Sequence, residues 1–263
     1  MLKVLLERMR QGYRTTSYPR GKAPELPARF AGRPEVRAVA CPDGCRACIE
    51  SCPTDAIRAA QAPVAAAGLE LDTGACIFCR ACESACPLSA FSFGRDYQLA
   101  AARRGDLTVR PAQRDRPAPR PPAALHAEAA RLFGRSFKLR QVSAGGCNGC
   151  ESDVNVLNTV GWDLGRFGIQ FVASPRHADG LLITGPVTEN MRLALEKTWR
   201  ALPGPRVVIA VGACAVAGGP YRGHPEAHDG ADSIVPVDLY IPGCPPHPLT
   251  ILDGLLRFLG RVK

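Results

Sequence analysis

The chain has 263 residues, a formal net charge of +9 and twelve cysteines. Its length suits two modest domains, each able to bury a core of its own. An even number of cysteines raises the question of a secreted disulfide framework. Charged side chains interrupt the apolar residues of the first ten positions, which is not typical of a secretory signal, so the thiols are expected to be reduced and cytosolic.

No stretch of the sequence is expected to cross a membrane, because the longest nearly apolar run, 207–217, is far shorter than the roughly 20 residues required. The positive charge would ordinarily suggest nucleic acid or anionic lipid as a partner. Much of that charge lies in 103–123, where six arginines and five prolines are typical of a solvated linker. We therefore expect no nucleic-acid partner.

The first half contains an internal repeat. Residues 41–57 read CPDGCRACIESCPTDAI, and residues 76–91 read CIFCRACESACPLSAF. Each copy ends in Cys-Pro, two further residues, Ala and a large apolar residue. Between the copies, the alternating GLELD at 68–72 predicts a short strand. The pattern predicts a compact, duplicated α+β unit with small hairpins.

The second half alternates apolar runs with helical stretches, which predicts a mostly parallel α/β sheet with helices on both faces. The predicted strands are Phe137–Val142, Gly168–Val172, Gly180–Thr184, Arg206–Val211 and Val237–Ile241. The predicted helices are 123–134, Glu151–Val160, Glu189–Leu202 with Thr188 as N-cap, and Pro248–Leu259.

The first eight cysteines predict two 4Fe-4S clusters. Each repeat places three thiolates on one tight loop and a fourth before proline, and in two-cluster ferredoxins that fourth cysteine reaches the other cluster. The predicted ligand sets are Cys41, Cys45 and Cys48 with Cys86, and Cys76, Cys79 and Cys82 with Cys52. A pair of zinc sites is the alternative, but zinc needs neither the third closely spaced cysteine nor the Cys-Pro ending.

The two repeats differ in one spacing. Three residues separate Cys41 from Cys45, where the second repeat has two between its first cysteines. The inserted Pro-Asp-Gly favours a turn that loops the extra residue outward. We expect the ligand set to be retained, and the insertion to affect the solvent exposure and reduction potential of that cluster.

The other four cysteines follow predicted strands that are distant in sequence. Cys147 and Cys150 follow the first of these strands, Cys214 the fourth and Cys244 the fifth. In an open parallel sheet, the carboxyl ends of the strands form the edge where ligands bind. Neighbouring glycines would let the backbone approach a bulky cofactor. We expect these thiols to hold a third 4Fe-4S cluster, with zinc or buried free thiols as the alternatives.

Four motifs of the second half carry a family resemblance: GGCNGCE at 145–151, LLITGPVTEN at 181–190, VGACAVAGGPY at 211–221 and IPGCPPHP at 241–248. They resemble the small subunit of membrane-associated nickel-iron hydrogenases of the formate-hydrogenlyase type (group 4). That subunit is related to the complex I subunit that carries the terminal 4Fe-4S cluster. In RTTSYP at 14–19 and CIFC at 76–79, the first half is similar to the ferredoxin-like subunit of the same hydrogenlyase. The chain thus resembles a fusion of two neighbouring subunits.

The resemblance implies a domain organisation. Residues 31–102 would form a two-cluster ferredoxin-like domain, and 124–263 a small-subunit domain with a flavodoxin-like open parallel sheet. An N-terminal arm with a short amphipathic helix, 1–30, would precede them, and the linker 103–123 would join them. The expected cofactors are three 4Fe-4S clusters. The ligands implied for the cluster nearest the active site are Cys147, Cys150, Cys214 and Cys244.

The resemblance also implies a function and partners. The chain would be the electron-transfer subunit of a hydrogenase complex, peripheral on the cytoplasmic side of the inner membrane, with the nickel-iron site on a separate large subunit. Membrane subunits and a low-potential electron donor protein, or a formate or carbon monoxide dehydrogenase, are the other expected partners. The alternative is the iron-sulfur subunit of a complex-I-like quinone-reducing oxidoreductase. Such relatives carry adjacent cysteines where two residues separate Cys147 from Cys150 in this chain, which favours the hydrogenase.

No catalytic residue is expected on this chain, with one candidate for proton transfer. Glu151 matches an acidic position that is thought to pass protons in related hydrogenases, and its alternative role is a first-turn carboxylate facing the positive end of a helix. His224 and His228 are four residues apart, but Pro225 and the flanking glycines argue against a helical metal-binding pair. His247 is expected on a solvent-facing loop, with a hydrogen bond near the Cys244 cluster as the alternative.

The first residues predict an amphipathic helix. Leu2, Leu5, Leu6 and Met9 share one helical face, and charged residues occupy the other. Such a helix can lie on a membrane or pack onto a partner protein. Packing onto a partner is the expectation here, because a single short helix anchors weakly.

Overall fold

The computed structural model describes residues 2–59, 68–111 and 133–262. In the first half, the helices are α1 (Leu2–Gln11), α2 (Ala47–Glu50) and α3 (Ala81–Ala85), and the strands are β1 (Pro34–Val36), β2 (Ile57–Ala59), β3 (Leu69–Asp72), β4 (Phe91–Phe93) and β5 (Thr108–Val109). In the second half, the strands are β6 (Phe137–Ser143), β7 (Ile169–Phe171), β8 (Gly180–Thr184), β9 (Val207–Val211) and β10 (Leu239–Ile241). The helices there are α4 (Gly149–Val156), α5 (Glu189–Ala201), α6 (Ala213–Ala217) and α7 (Pro248–Phe258). No helix in these described ranges is long and apolar enough to span a bilayer.

After α1, the described part of the first half has two small antiparallel sheets and the short helices α2 and α3. Strand β1 pairs with β4, and β3 lies between β2 and β5. The two copies of the repeat contribute α2 and α3, which contact one another. Large side chains such as Phe91 and Leu107 are fully buried between these elements. A core this small leaves the cysteine loops close to the centre of the domain.

The second half is a five-stranded, wholly parallel sheet with the order β10-β9-β8-β6-β7. Numbered by their order along the chain, these strands lie 2-1-3-4-5 across the sheet, which is the flavodoxin-like order. The predicted parallel sheet is therefore confirmed. The strand order reverses between β6 and β8, and ligands of such sheets bind at this switch point, beyond the carboxyl ends of the strands.

Burial on both faces explains why the central strands could be recognised in the sequence. Every residue of β8 and β9 is buried. Helices cover both faces of a parallel sheet, so its central strands are continuously apolar instead of alternating. The observed bounds of β8 are those predicted, and β9 begins one residue later than predicted.

Two predicted helices differ from the structure or lie outside it. Helix α4 begins two residues before the predicted Glu151 and ends at Val156, four residues before the predicted end. The Thr159 hydroxyl donates to the Val156 carbonyl at 2.7 Å, and Gly161 follows, so a side chain and a poor helix former end the helix early. The helix predicted at 123–134 lies outside the described residues, except for its last two positions.

The two halves are joined by main-chain and side-chain contacts. Ala101 and Tyr240 exchange two backbone hydrogen bonds of 3.0 and 2.8 Å, which extends the edge of the parallel sheet at β10. On the other side, Arg166 donates to the carbonyls of Thr16 and Tyr18 at 2.6 and 2.7 Å. The arm is thereby fixed to the second half. The boundaries given above for the N-terminal arm, the ferredoxin-like domain, the linker and the small-subunit domain stay predictions.

A buried polar network lies beneath the arm. Asp253 on α7 is only 1% exposed, and it accepts a 2.5 Å hydrogen bond from the Tyr18 hydroxyl. Arg257, one turn later, donates through Nε to both carboxylate oxygens at 3.0 and 2.9 Å. Burial raises the pKa of Asp253, and the contacts with Tyr18 and Arg257 oppose that rise. The arm therefore depends on a carboxylate 235 residues away in the sequence.

We expect Asp253→Asn to lower the free energy of unfolding by about 3 kcal/mol or more, because it removes one charge of a buried ion pair. The matched control is Glu196→Gln, which removes a carboxylate 2.9 Å from Arg192 on the more exposed surface of α5. That change should cost about 1 kcal/mol or less. Urea unfolding of the anaerobically purified chain, followed by circular dichroism, measures both. Equal effects of the two substitutions would contradict the structural role of the buried network.

Candidate iron-sulfur sites

The structure brings together the four cysteines predicted as the first set. Cys41, Cys45 and Cys48 lie on the first cysteine loop and the start of α2, and Cys86 follows α3. Burial raises the pKa of the Cys41 thiol, and the neighbouring thiols of Cys45 and Cys86 raise it further. The pKa of Cys48 is raised by burial and then by Cys86. A thiol from the second repeat thus lies among three thiols from the first.

The second set has the reciprocal arrangement. Burial and, to a lesser degree, nearby thiols that include Cys52 and Cys79 raise the pKa of Cys76 to about 12 and that of Cys82 to about 11. Cys52 belongs to the first repeat, so each repeat lends its last cysteine to the other. The four side chains line a small recess of about 10 Å³ whose other walls include Ile57, Leu71 and Phe93. Four soft thiolates in an apolar recess suit a 4Fe-4S cluster.

Backbone donors explain the shared ending of the two repeats. The Ala56 N–H donates to Cys52 Sγ at 3.3 Å, and the Ala90 N–H donates to Cys86 Sγ at 3.4 Å. Both alanines are fully buried, so a larger side chain would not fit at either position. The pattern Cys-Pro-x-x-Ala therefore encodes an N–H···S hydrogen bond, which stabilises a thiolate. Sequence analysis identified the pattern without its physical reason.

The third set forms at the carboxyl ends of the parallel strands, as the order of the elements predicts. Cys147 and Cys150 lie where α4 begins after β6, Cys214 lies on α6 after β9, and Cys244 follows β10. Burial, followed by the neighbouring thiols of Cys244 and Cys147, raises the pKa of Cys214 to about 12. Burial also raises the pKa of Cys150, and Cys214 contributes the largest rise among the neighbouring thiols. Four thiols from three distant loops therefore face one another.

Glycines let the backbone approach these sulfur atoms. Gly212 has a φ of +92°, and a Cβ at this position would overlap Cys150 Sγ. A Cβ on Gly219, where φ is +54°, would lie 2.9 Å from Cys214 Sγ. Both positions require a backbone conformation that other residues rarely adopt. The two glycines are thus part of the site and not only of its turns.

Glu151 lies beside the third set and is almost fully buried. Its Oε1 accepts hydrogen bonds from Ser143 Oγ at 2.7 Å and from Thr184 Oγ1 at 2.6 Å. Ser143 and Thr184 are register partners at the ends of β6 and β8, so the carboxylate lies at the switch point of the sheet. After burial and neighbouring thiols, its charge contributes to the raised pKa of Cys150 and of Cys214. Sequence analysis found Glu151 but not its two hydroxyl partners: Thr184 lies within the motif at 181–190 without any sign of this role, and Ser143 lies outside the motifs.

The candidate histidines have separate partners. His228 Nε2 contacts Glu189 Oε2 at 2.5 Å, and His224 Nδ1 accepts from the Glu226 N–H at 3.2 Å. Within the ranges described above, no three His, Cys, Asp or Glu side chains are placed to hold one metal ion. A cubane is bound differently, since each of its four irons takes one thiolate.

His247 is not solvent-facing, so that prediction is wrong. Its ring is half-buried, with edge contacts to Phe30 and Trp162, and burial lowers its pKa. Its Nδ1 accepts from the Leu249 N–H at 3.1 Å and caps the start of α7. The double proline before it turns the chain inward, where the arm covers the ring. His247 also lines a cleft together with Cys244.

Two protein-family models match this chain. Residues 147–258 match the family described as NADH ubiquinone oxidoreductase, 20 Kd subunit, and residues 40–90 match the 4Fe-4S dicluster domain. The chain therefore binds 4Fe-4S clusters. The first match contains all four cysteines of the third set, and the second contains all eight of the others.

Three curated relatives align with this chain. Formate hydrogenlyase subunit 7 of Escherichia coli (strain K12) is 44% identical over 54% of this chain and 55% of its own length. The probable membrane-bound hydrogenase subunit mbhJ of Pyrococcus furiosus is 40% identical over 52% of this chain and 81% of its own length. An NADH-quinone oxidoreductase subunit of Bacteroides thetaiotaomicron is 39% identical over 50% of this chain and 66% of its own length.

The chain spans about half the length of formate hydrogenlyase subunit 7, but it covers most of the Pyrococcus furiosus relative. The family match at 147–258 contains strands β7 to β10 of the parallel sheet and the third set of cysteines. A dicluster domain precedes it in the same polypeptide. The chain belongs to the oxidoreductase family of the NADH ubiquinone oxidoreductase 20 kDa subunit, in a form fused to an N-terminal 4Fe-4S dicluster domain.

Proposed function

We propose that this chain is the electron-transfer subunit of a membrane-associated nickel-iron hydrogenase and that it holds three 4Fe-4S clusters. The observation that carries the proposal is the convergence of Cys147, Cys150, Cys214 and Cys244 at the switch point of the sheet. The names of two relatives, a formate hydrogenlyase subunit and a membrane-bound hydrogenase subunit, support the choice of enzyme.

The twelve cysteines are proposed as the ligands in the three sets described above. The donor chemistry fits, because each set supplies four thiols and no other ligand type. When bound, an iron-sulfur cluster supplies reversible one-electron oxidation and reduction. The protein residues set the environment of each cluster. Burial of the site, N–H donors to sulfur and the close approach of the backbone at Gly212 all tune the reduction potential of a bound cluster.

A shared cleft supports the order in which electrons would pass. Ile77 and Phe78, inside the second cysteine loop, line the same cavity of about 670 Å³ as Cys244 of the third set. The Phe78 N–H also donates to Cys76 Sγ at 3.3 Å. The loop of the second set and Cys244 of the third set thus border the same cleft. Electrons would enter at the ferredoxin-like domain and leave through the third set, or the reverse.

The proposed partners follow from this order. The third set would face a large subunit that carries the nickel-iron site, and the ferredoxin-like domain would face a low-potential electron donor protein or a formate or carbon monoxide dehydrogenase. Membrane subunits would hold the complex on the cytoplasmic face of the membrane, where this chain is peripheral.

The nickel content of the complex that co-purifies anaerobically with the tagged chain tests the proposed enzyme. Nickel near one atom per complex, together with hydrogen turnover, is the expected result. Intact iron-sulfur clusters without nickel would instead favour a complex-I-like quinone-reducing enzyme, in line with the similarity to the NADH-quinone oxidoreductase of Bacteroides thetaiotaomicron.

Glu151 is proposed to pass protons beside the third set, and Glu151→Gln separates this role from an anchoring one. Glutamine can still accept hydrogen bonds from Ser143 and Thr184, but it cannot release a proton at neutral pH. We expect hydrogen turnover to fall by about a hundredfold, in line with the loss of a positioned acid or base, while the cluster signals in electron paramagnetic resonance stay unchanged. Unchanged turnover would rule out the proton role.

Gly212→Ala tests whether the third set requires the close approach of the backbone at Gly212 to Cys150 Sγ. The added methyl group would overlap Cys150 Sγ, so about one third of the bound iron should be lost while the ferredoxin-like domain keeps its own. The matched control is Gly161→Ala, since a Cβ there meets no atom within 4 Å. Iron and acid-labile sulfide per chain are the measurements. Full iron content in Gly212→Ala would contradict the proposed third set.

A further inference from the structure

Helix α1 exposes an apolar face that the rest of the described chain does not cover. None of its residues is buried. Leu2, Leu5, Leu6 and Met9 are each more than half exposed, the first and last above 70%. Exposure of a single large apolar side chain is ordinary, but a continuous apolar stripe marks a surface that contacts something else.

The charges of α1 are arranged around that face. At about 100° per residue, the four apolar side chains share one face. Lys3 and Arg10 lie along one border of it and Arg8 along the other, while Glu7 lies on the far side. Long cationic side chains can extend from such borders to anionic groups while their stems cover apolar surface. An apolar stripe bordered by cations on both sides is typical of a helix that lies in a membrane interface.

We propose that α1 lies on the membrane surface, with its apolar face among the acyl chains and its cations on anionic phospholipid headgroups. The residues after the helix extend this surface, since Tyr13 is 90% exposed and Arg14 is exposed beside it. Tyrosine is enriched at the level of the headgroups, where its ring and hydroxyl meet different solvents. Charge complementarity favours anionic lipid over an apolar protein groove, because the charged residues of α1 that border the apolar face are all cationic.

The arm transmits this contact to the fold. The Thr15 hydroxyl donates to the Val160 carbonyl at 2.9 Å, and the Thr16 N–H donates to the Gly161 carbonyl at 2.8 Å. Val160 is itself 71% exposed, so it adds an apolar side chain next to the attachment point. The inference relies on the proposed function only for the presence of a membrane near the chain.

Sedimentation with protein-free vesicles tests the proposal. The full chain, purified anaerobically, is mixed with vesicles of phosphatidylcholine alone or with added phosphatidylglycerol. We expect binding to the anionic vesicles that weakens as salt is raised. The double substitution Leu5→Ser and Leu6→Ser should weaken binding by about tenfold or more, because it removes two apolar side chains that would enter the acyl chains.

Val4→Ser is the matched control, because Val4 is 71% exposed but lies on the opposite face of the same helix. It should bind as the unaltered chain does. Failure to bind anionic vesicles, or equal loss in Val4→Ser and the Leu5 and Leu6 variant, would overturn the proposal. So would binding that requires a membrane protein in the vesicles. The nickel measurement is independent of α1, so the two proposals can fail separately.

Discussion

The mutual approach of partly buried thiols is the constraint on which the rest of this structure depends. Thiols brought together in apolar surroundings resist ionisation, and the raised pKa values of Cys76, Cys82 and Cys214 express this cost. Cluster binding must therefore displace protons, and it compensates the buried negative charge with iron. Small residues also lie next to the sulfur atoms. Ala56 and Gly212 leave room for a cluster and let the backbone approach it.

Much of this architecture is encoded locally, and that part was predictable. Strand β8 is a run of apolar residues because both faces of the sheet are covered, and the cysteine repeats carry their ligand spacing in the sequence itself. The partners of Glu151 and Asp253 could not be predicted. Their hydrogen bonds reach Thr184 and Tyr18, 33 and 235 residues away, and no periodic pattern marks such pairs. The burial of His247 was missed because it depends on the arm that covers it.

The proposed electron transfer between the two fused modules depends steeply on the distance between their clusters. A covalent link alone keeps two domains near each other, but a flexible link does not fix their separation. Here the ladder between Ala101 and Tyr240 and the network around Asp253 hold the two halves at separate points. The cleft that contains Phe78 and Cys244 lies between those halves. In that network, the hydrogen bond from Tyr18 to Asp253 attaches the arm to α7, whereas the ion pair of Asp253 with Arg257 lies within this helix.

The position of the arm relates the proposed membrane surface to the third set. Helix α4 carries Cys150 in its first turn, and its eight residues extend about 12 Å toward the loop at Val160, where the arm is attached. With α1 on the lipid, the attachment point faces the membrane and the thiols lie at the other end of α4. A large subunit could then cover the exposed Cys147 without displacing the membrane contact. One short helix thus separates the proposed membrane surface from the surface at which electron exchange is proposed.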